Sequence, residues 1–284
     1  MRYESPTTTR EAVALLSKEK GKAYVLAGGT DLLVRLRMDL IDPDLMVDIK
    51  RIPAMNEIKK TATGFKIGAA VPGAKLGKNK ALVKAWPGVI EAANLIGSDQ
   101  IQGRCTMAGN LCNASPAADS VPALIAAGAK AVIVGKKKRT VPVEDIVIGP
   151  GKTSLAKGEI IEAITLPARP AKSGDAYLRM TPRTEMDIAV VGVGVSLTLK
   201  SGVIAKARVA MGAVAATPLL VKAAADAIIG TRLDDEALEA LAAACTAACK
   251  PIDDKRGTIE YRKRVAGVLA KRTAKIAFER AGGK

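Results

Sequence analysis

The chain alternates short apolar runs with amphipathic stretches, and their order divides it into three parts. Near the start, "TTTREAVALLSKEKG" has Thr ahead of Arg-Glu, apolar residues at helical spacing and a closing Gly, which predicts a capped amphipathic helix. "AYVLA" (23–27) predicts a buried strand, "DLLVRLRMDL" (31–40) a short helix or helical turn, and "LMVDIK" (45–50) a further strand. Residues 1–52 thus read as a β-α-β-α-β unit. A second unit, 53–170, opens with the strand "FKIGAA". It continues with a helical stretch broken at Pro87, "KALVKAWPGVIEAANLIG", and a second helix, "ADSVPALIAAGA". It closes with the strands "KAVIVG", "RTVPV" and "EIIEAITLP" and a Pro-containing linker, "PARPAKS". The third part, 171–284, begins with three strands, two of them flanking the turn "KSGV". Three helices follow: "PLLVKAAADAIIG", "DDEALEALAAACTAACK" and the long "IEYRKRVAGVLAKRTAKIAFERAG". The pattern predicts an α+β protein: two α/β units, then an antiparallel three-stranded sheet covered by helices.

Composition narrows the chemistry. The 284 residues are 49% hydrophobic but only 2% aromatic, so Ala, Val, Ile and Leu must build the cores. The N-terminal segment carries charges and no apolar stretch, and the longest uncharged run is too short for a bilayer. A cytoplasmic protein with no transmembrane segment is expected. The net charge of +16 predicts an anionic partner: nucleic acid, a phosphate-bearing cofactor or an acidic subunit. The densest basic run, "GKKKRT" (135–140), lies between two strands and reads as a solvated hairpin tip. No aromatic side chains stand beside it to stack bases, which argues against nucleic acid.

There is no histidine, and the four cysteines, at 105, 112, 245 and 249, lack the spacing of a zinc or iron–sulfur site. Cys245 and Cys249 instead fall on one face of an Ala-rich helix. Metal ligands and His-based catalysis are therefore not expected, and any redox chemistry must rest on a bound cofactor.

Two apparent nucleotide motifs fail on inspection. "GPGKTS" (149–154) lacks the first glycine of a P-loop, because that position is Ile146. "GVGVSL" (192–197) ends in Leu197 and lies within a strand. Two other stretches are better candidates: "AGGTDLL" (27–33) and "TMAGNLCNASPAAD" (106–119). Each combines glycine with short polar side chains, which suits main-chain recognition of a pyrophosphate. Two ordinary glycine turns would look the same.

These two stretches resemble the two flavin loops of the FAD-binding medium subunits of molybdenum hydroxylases, the group that includes carbon monoxide dehydrogenase and xanthine dehydrogenase. Later blocks, "GPGKTSLAKGEIIEAITLP", "AYLRMTPRTEMDIAVVGVGV", "ARVAMGAVAATPL" and "DKRGTIEYRKRVAGVLAKR", resemble the same family in the same order. The resemblance implies a vanillyl-alcohol-oxidase (PCMH) type FAD-binding fold followed by a C-terminal flavoprotein domain, with FAD in the cleft between them. It implies that Ala27, Gly28, Gly29, Thr30 and Asp31 wrap the phosphates, with Val25 and Leu32 packed beneath. Thr106, Met107, Ala108, Gly109 and Asn110 would form the facing loop; relatives often carry Gly where Ala108 stands. Ser115 and Asp119 would lie near the phosphates and ribityl chain. Ile96 and Ile161 would flank the flavin, and Arg179 falls where relatives often carry Lys. A carboxylate beside a phosphate is repelled, so the backbone N–H of Asp31 is expected to face the ligand.

The resemblance further implies an electron-transfer subunit. The molybdenum cofactor would sit in a large partner subunit and two [2Fe-2S] clusters in a small one, in a dimer of heterotrimers. Electrons would reach FAD here and leave to an external acceptor. The alternatives are a stand-alone FAD-dependent oxidase of the same fold, for which no substrate base is visible, and a nucleic-acid-binding module.

Overall fold

A computed structural model describes residues 1–184 and 186–283. The first part is built on a parallel sheet of β1 (Arg2–Glu4), β2 (Ala23–Leu26) and β3 (Leu45–Asp48), in the order β1-β3-β2. Every residue of the central strand β3 is buried. Helix α1 (Thr9–Lys18) begins in a capping box: Thr8 Oγ1 accepts from Glu11 N, and the Glu11 carboxylate accepts from Thr8 N. The loop after β2 leads into α2 (Leu32–Arg37), which has no buried residue. "AYVLA" therefore differs from the buried strand its sequence predicts. It lies at the sheet edge, and only Leu26 of β2 is buried.

The second part carries a five-stranded antiparallel sheet, β4-β5-β10-β6-β7. Its strands are β4 (Ile58–Thr61), β5 (Gly64–Gly68), β6 (Lys130–Val134), β7 (Lys138–Pro142) and β10 (Ile160–Pro167), while β8 (Val147–Gly149) and β9 (Lys152–Thr153) form a separate hairpin. Between β5 and β6 run six short helices: α3 (Gly73–Lys78), α4 (Lys80–Ala85), α5 (Pro87–Asn94), α6 (Asp99–Gln102), α7 (Met107–Asn113) and α8 (Ser120–Ala126). The break at Pro87 separates α4 from α5, and "GKKKRT" is the β6–β7 hairpin. The first two parts share one apolar core, which Tyr177 and Ala210 enter from the third.

The third part is an antiparallel sheet of β11 (Ser173–Met180), β12 (Val191–Lys200), β13 (Val203–Gly212) and β14 (Leu219–Leu220). Beside it lie α9 (Lys222–Asp226), α10 (Asp235–Ala248) and α11 (Ile259–Arg280). The two-residue fourth strand replaces the start of an expected helix. Leu219 and Leu220 pair with Met211 and Ala210, satisfying backbone groups that β13 would otherwise leave open at its edge. Helix α11 packs on β11 and β12, and α10 packs on α11, enclosing a second core. No helix among the described residues is long and apolar enough to cross a membrane.

Candidate functional site

The two glycine-rich loops meet across one cleft of about 420 Å³, within the usual range for small-molecule sites. The first loop leaves β2 at Ala27. Lys50 Nζ donates to Ala27 O at 3.1 Å and is paired with Asp48 at 2.8 Å, so the loop starts from a braced carbonyl. Gly29 has φ +78°, a conformation L side chains rarely adopt, and a Cβ built there would lie 2.9 Å from Leu26 and Leu33 side-chain carbons. Gly28 touches the segment just ahead of the second loop: a Cβ built there would lie 2.1 Å from Arg104 O. Among the described residues, the N–H groups of Gly28, Gly29, Thr30 and Asp31 find no acceptor. Unpaired donors of this kind are costly unless water or a ligand satisfies them.

The second loop leads into α7. Thr106, buried at the helix N-cap, accepts from Gly109 N at 2.9 Å through Oγ1. An isolated bridge between Pro72 and Thr106, with Gly73 N donating to Cys105 O, ties this loop to the start of α3. Asn110 Oδ1 accepts from Ser120 N and Ser120 Oγ, at 3.1 and 2.7 Å, which locks α7 to α8. At the other end of α7, Ala114 adopts a left-handed conformation, and its carbonyl accepts from Gly151 N at 3.0 Å. Asn113 Nδ2 donates to Asp31 Oδ1 at 3.2 Å, closing one side of the cleft between the loops.

Thirteen of the sequence-derived site residues line the cleft: Val25, Ala27, Gly28, Gly29, Thr30, Asp31, Leu32, Ile96, Thr106, Ala108, Gly109, Asn110 and Ile161. Two placements need correcting. Val25 and Leu32 do not pack beneath the first loop; they face the cleft, and Leu26 with Leu33 takes the position against Gly29. Nor does the third part contribute to the cleft wall. Among the described residues, all the lining comes from the first two parts: β2, the loop after it and α2, together with α7 and the start of β10.

Four expected residues stand outside that lining. Met107 is buried in the core under α7. Ser115 Oγ accepts from Ala117 N at 3.2 Å and closes a local turn. Asp119 Oδ2 and Arg179 Nη1 form a buried ion pair at 2.7 Å, and Tyr177 donates to Asp119 Oδ1 at 3.3 Å. Burial outweighs the lowering by Arg179 and Tyr177 and holds the Asp119 carboxyl up at about 6.

Several lining residues lay beyond the sequence reading. Asn113 had a readable signal, since it follows Asn110 by three positions and so shares its helix face. Arg35 follows Asp31 by four positions in the same way. Gly151, Leu155 and Glu159 lie within a block that resembles the family but carry no local signal of their own, because the β8–β9 hairpin and the approach to β10 bring them in from far along the chain. Glu159 is neutralised by Arg139 through contacts of 2.9 and 2.7 Å, which hold its carboxyl below the usual range. Burial pushes the Cys105 thiol up to about 11, so it stays protonated at neutral pH.

The cleft thus offers free main-chain donors on one loop, polar side chains on the facing helix and an apolar wall of Ile96, Ile160, Ile161 and Leu155. Donors suit a diphosphate and the apolar wall suits a flat ring system, so these residues fit FAD.

Comparison with known proteins agrees. A family model described as the FAD binding domain in molybdopterin dehydrogenase matches residues 1–169. One described as the CO dehydrogenase flavoprotein C-terminal domain matches residues 176–277. The carbon monoxide dehydrogenase medium chain of Hydrogenophaga pseudoflava is 31% identical, over 98% of this chain and 97% of its own. The xanthine dehydrogenase FAD-binding subunit of Escherichia coli O157:H7 is 30% identical, over 99% and 97%. The solved carbon monoxide dehydrogenase from Hydrogenophaga pseudoflava that lacks the Mo-pyranopterin moiety superposes with a TM-score of 0.95 at 33% identity, covering 99% of this chain and 98% of that one. The fold, the paired glycine loops and these matches over nearly the whole length establish that the chain belongs to the FAD-binding medium subunits of the molybdenum hydroxylases, and so is a flavoprotein oxidoreductase subunit.

Proposed function

We propose that this chain is the electron-transfer flavoprotein of a heterotrimeric molybdenum hydroxylase. It takes electrons from [2Fe-2S] clusters of a small partner subunit, downstream of a molybdenum cofactor in a large one, and delivers them to an external acceptor. The observation that carries this reading is the meeting of two glycine loops over one cleft, with four consecutive N–H groups of the first loop unpaired. Bound FAD supplies redox chemistry that accepts electrons one or two at a time.

The chain's own residues bind, orient and enclose. Gly28, Gly29, Thr30 and Asp31 would hold the diphosphate through their N–H groups. Thr106, Ala108, Gly109 and Asn110 would close over it from α7. Val25, Ala27 and Leu32 shape the near wall, and Ile96 and Ile161 exclude water from the ring. Met107, Ser115, Asp119 and Arg179, which stand outside the lining, complete the proposed set. The reading divides the chain into FAD-binding subdomains at 1–52 and 53–170 and a C-terminal flavoprotein domain at 171–284. It places the complex in the cytoplasm as a dimer of heterotrimers.

The test is purification of the tagged full chain from its native host. The expected result is co-purification of two further subunits, one with molybdenum and one with iron and sulfide, and bleaching of visible flavin absorbance under anaerobic conditions by the substrate of the complex. A chain that purifies alone and oxidises a substrate by itself would contradict the proposal.

A further inference from the structure

The cleft contains three charged side chains: Asp31, Arg35 and Glu159. Both carboxylates are already engaged. Glu159 accepts from Arg139 at 2.9 and 2.7 Å and from Ala156 N at 2.8 Å, and Asp31 accepts from Asn113 at 3.2 Å. Lys50, which reaches the start of the first loop, is committed to Asp48 and Ala27 O. Arg35 differs from all of these. Its side chain is exposed on α2, lines the cleft and makes no hydrogen bond or salt bridge among the described residues, although its charge is near enough to favour the ionised Asp31 carboxylate. Its backbone N donates to Asp31 O at 3.0 Å, so it stands one helical turn beyond the last of the four unpaired N–H groups.

We propose that Arg35 is a cofactor-binding residue that supplies the cleft's cationic contact to the diphosphate of FAD. The inference rests on the reading of the cleft as the FAD site and adds a residue to it. A cation at this place would strengthen the anion site that the N–H groups form. A diphosphate brings two negative charges to a wall that already holds the Asp31 carboxylate, and neutral N–H donors alone leave that charge uncompensated. A guanidinium presents a planar fork of donors matched to phosphate oxygens and stays charged at every working pH. Arg35 would therefore favour ligands that carry a diphosphate over those that carry only the ring system.

The test is titration of the full chain and its Arg35→Gln and Arg35→Lys variants with FAD, ADP and riboflavin, after removal of bound flavin. Arg35 is exposed and makes no salt bridge among the described residues, so Arg35→Gln should fold, and circular dichroism checks that it does. The expected result is about tenfold weaker binding of FAD and of ADP by Arg35→Gln, the scale of one charge-assisted hydrogen bond at an accessible site. Riboflavin binding should stay within about twofold of the parent chain. Arg35→Lys should keep most of the affinity, and parent affinity for ADP should fall more steeply than that of Arg35→Gln as ionic strength rises past about 0.1 M. Equal FAD and ADP binding by Arg35→Gln and the parent would overturn the role of Arg35 while leaving the FAD site intact. Parallel loss of riboflavin binding would overturn it too, by showing a structural effect. A parent chain that binds neither FAD nor ADP would overturn the FAD reading itself.

Discussion

Gly28 and Arg104 are packed so that a Cβ on Gly28 would lie 2.1 Å from the Arg104 carbonyl oxygen and 2.8 Å from its carbon. The glycine is thus required by the approach to the second loop: it lets the two segments close on each other. A backbone carbonyl cannot rotate aside as a side-chain tip can. Gly28→Ala should therefore push the loops apart, lowering stability by about 1–3 kcal/mol and releasing most of the bound FAD. Thermal unfolding and flavin retention through gel filtration measure the two effects. An alanine variant that keeps both would show that the loops do not meet as described.

Thr106 gives a smaller, separable effect. Its Oγ1 caps α7 by accepting from Gly109 N. Thr106→Ala should cost about 1 kcal/mol of stability, loosen the second loop and weaken FAD binding. Thr106→Ser keeps the accepting oxygen and should retain nearly all of both stability and FAD affinity, as urea unfolding and flavin titration would show.

The sequence made the two loops legible because glycine next to Thr, Asp and Asn leaves a local signature. It also made most elements legible, since their apolar period is set within a few residues. The edge position of β2 was not legible. "AYVLA" reads as buried because it is apolar throughout, yet Val25 faces the cleft. Leu219 and Leu220 likewise read as the start of a helix, and only the open edge of β13 makes them a strand. The pairing of Asp119 with Arg179 joins residues 60 positions apart, which no local pattern encodes.

That pair is buried, with 11% and 6% of the two side chains exposed. Asp119→Asn at neutral pH would leave the Arg179 guanidinium without its counter-ion. The expected loss is about 3–5 kcal/mol, read from urea unfolding. Adding Arg179→Met to Asp119→Asn removes the stranded charge and should restore a large part of that loss. Simple addition of the two single-variant costs would mean the residues do not interact.

Glu162 sets a pH dependence. It sits at a bulge in β10 beside Ile161 and accepts from Lys66 and Lys138, each at 2.9 Å. Burial pushes its carboxyl up, but the two lysines outweigh that and hold it below the usual carboxylate range. A carboxyl lowered by folding contributes stability that is present above its unfolded pKa, near 4.5, and lost as pH falls through the folded value. Glu162→Gln should therefore cost about 1 kcal/mol at neutral pH, a modest figure because both lysines are partly exposed, and nearly nothing once the pH is well below both values. Denaturant unfolding of both proteins across that range checks it.

The most direct measurement of the central claim is the flavin content of the full chain purified as it occurs. Denaturation should release FAD, identified by chromatography, at about one per chain, and the Gly28→Ala protein should release far less. A colourless chain that takes up no FAD when it is supplied would contradict the account.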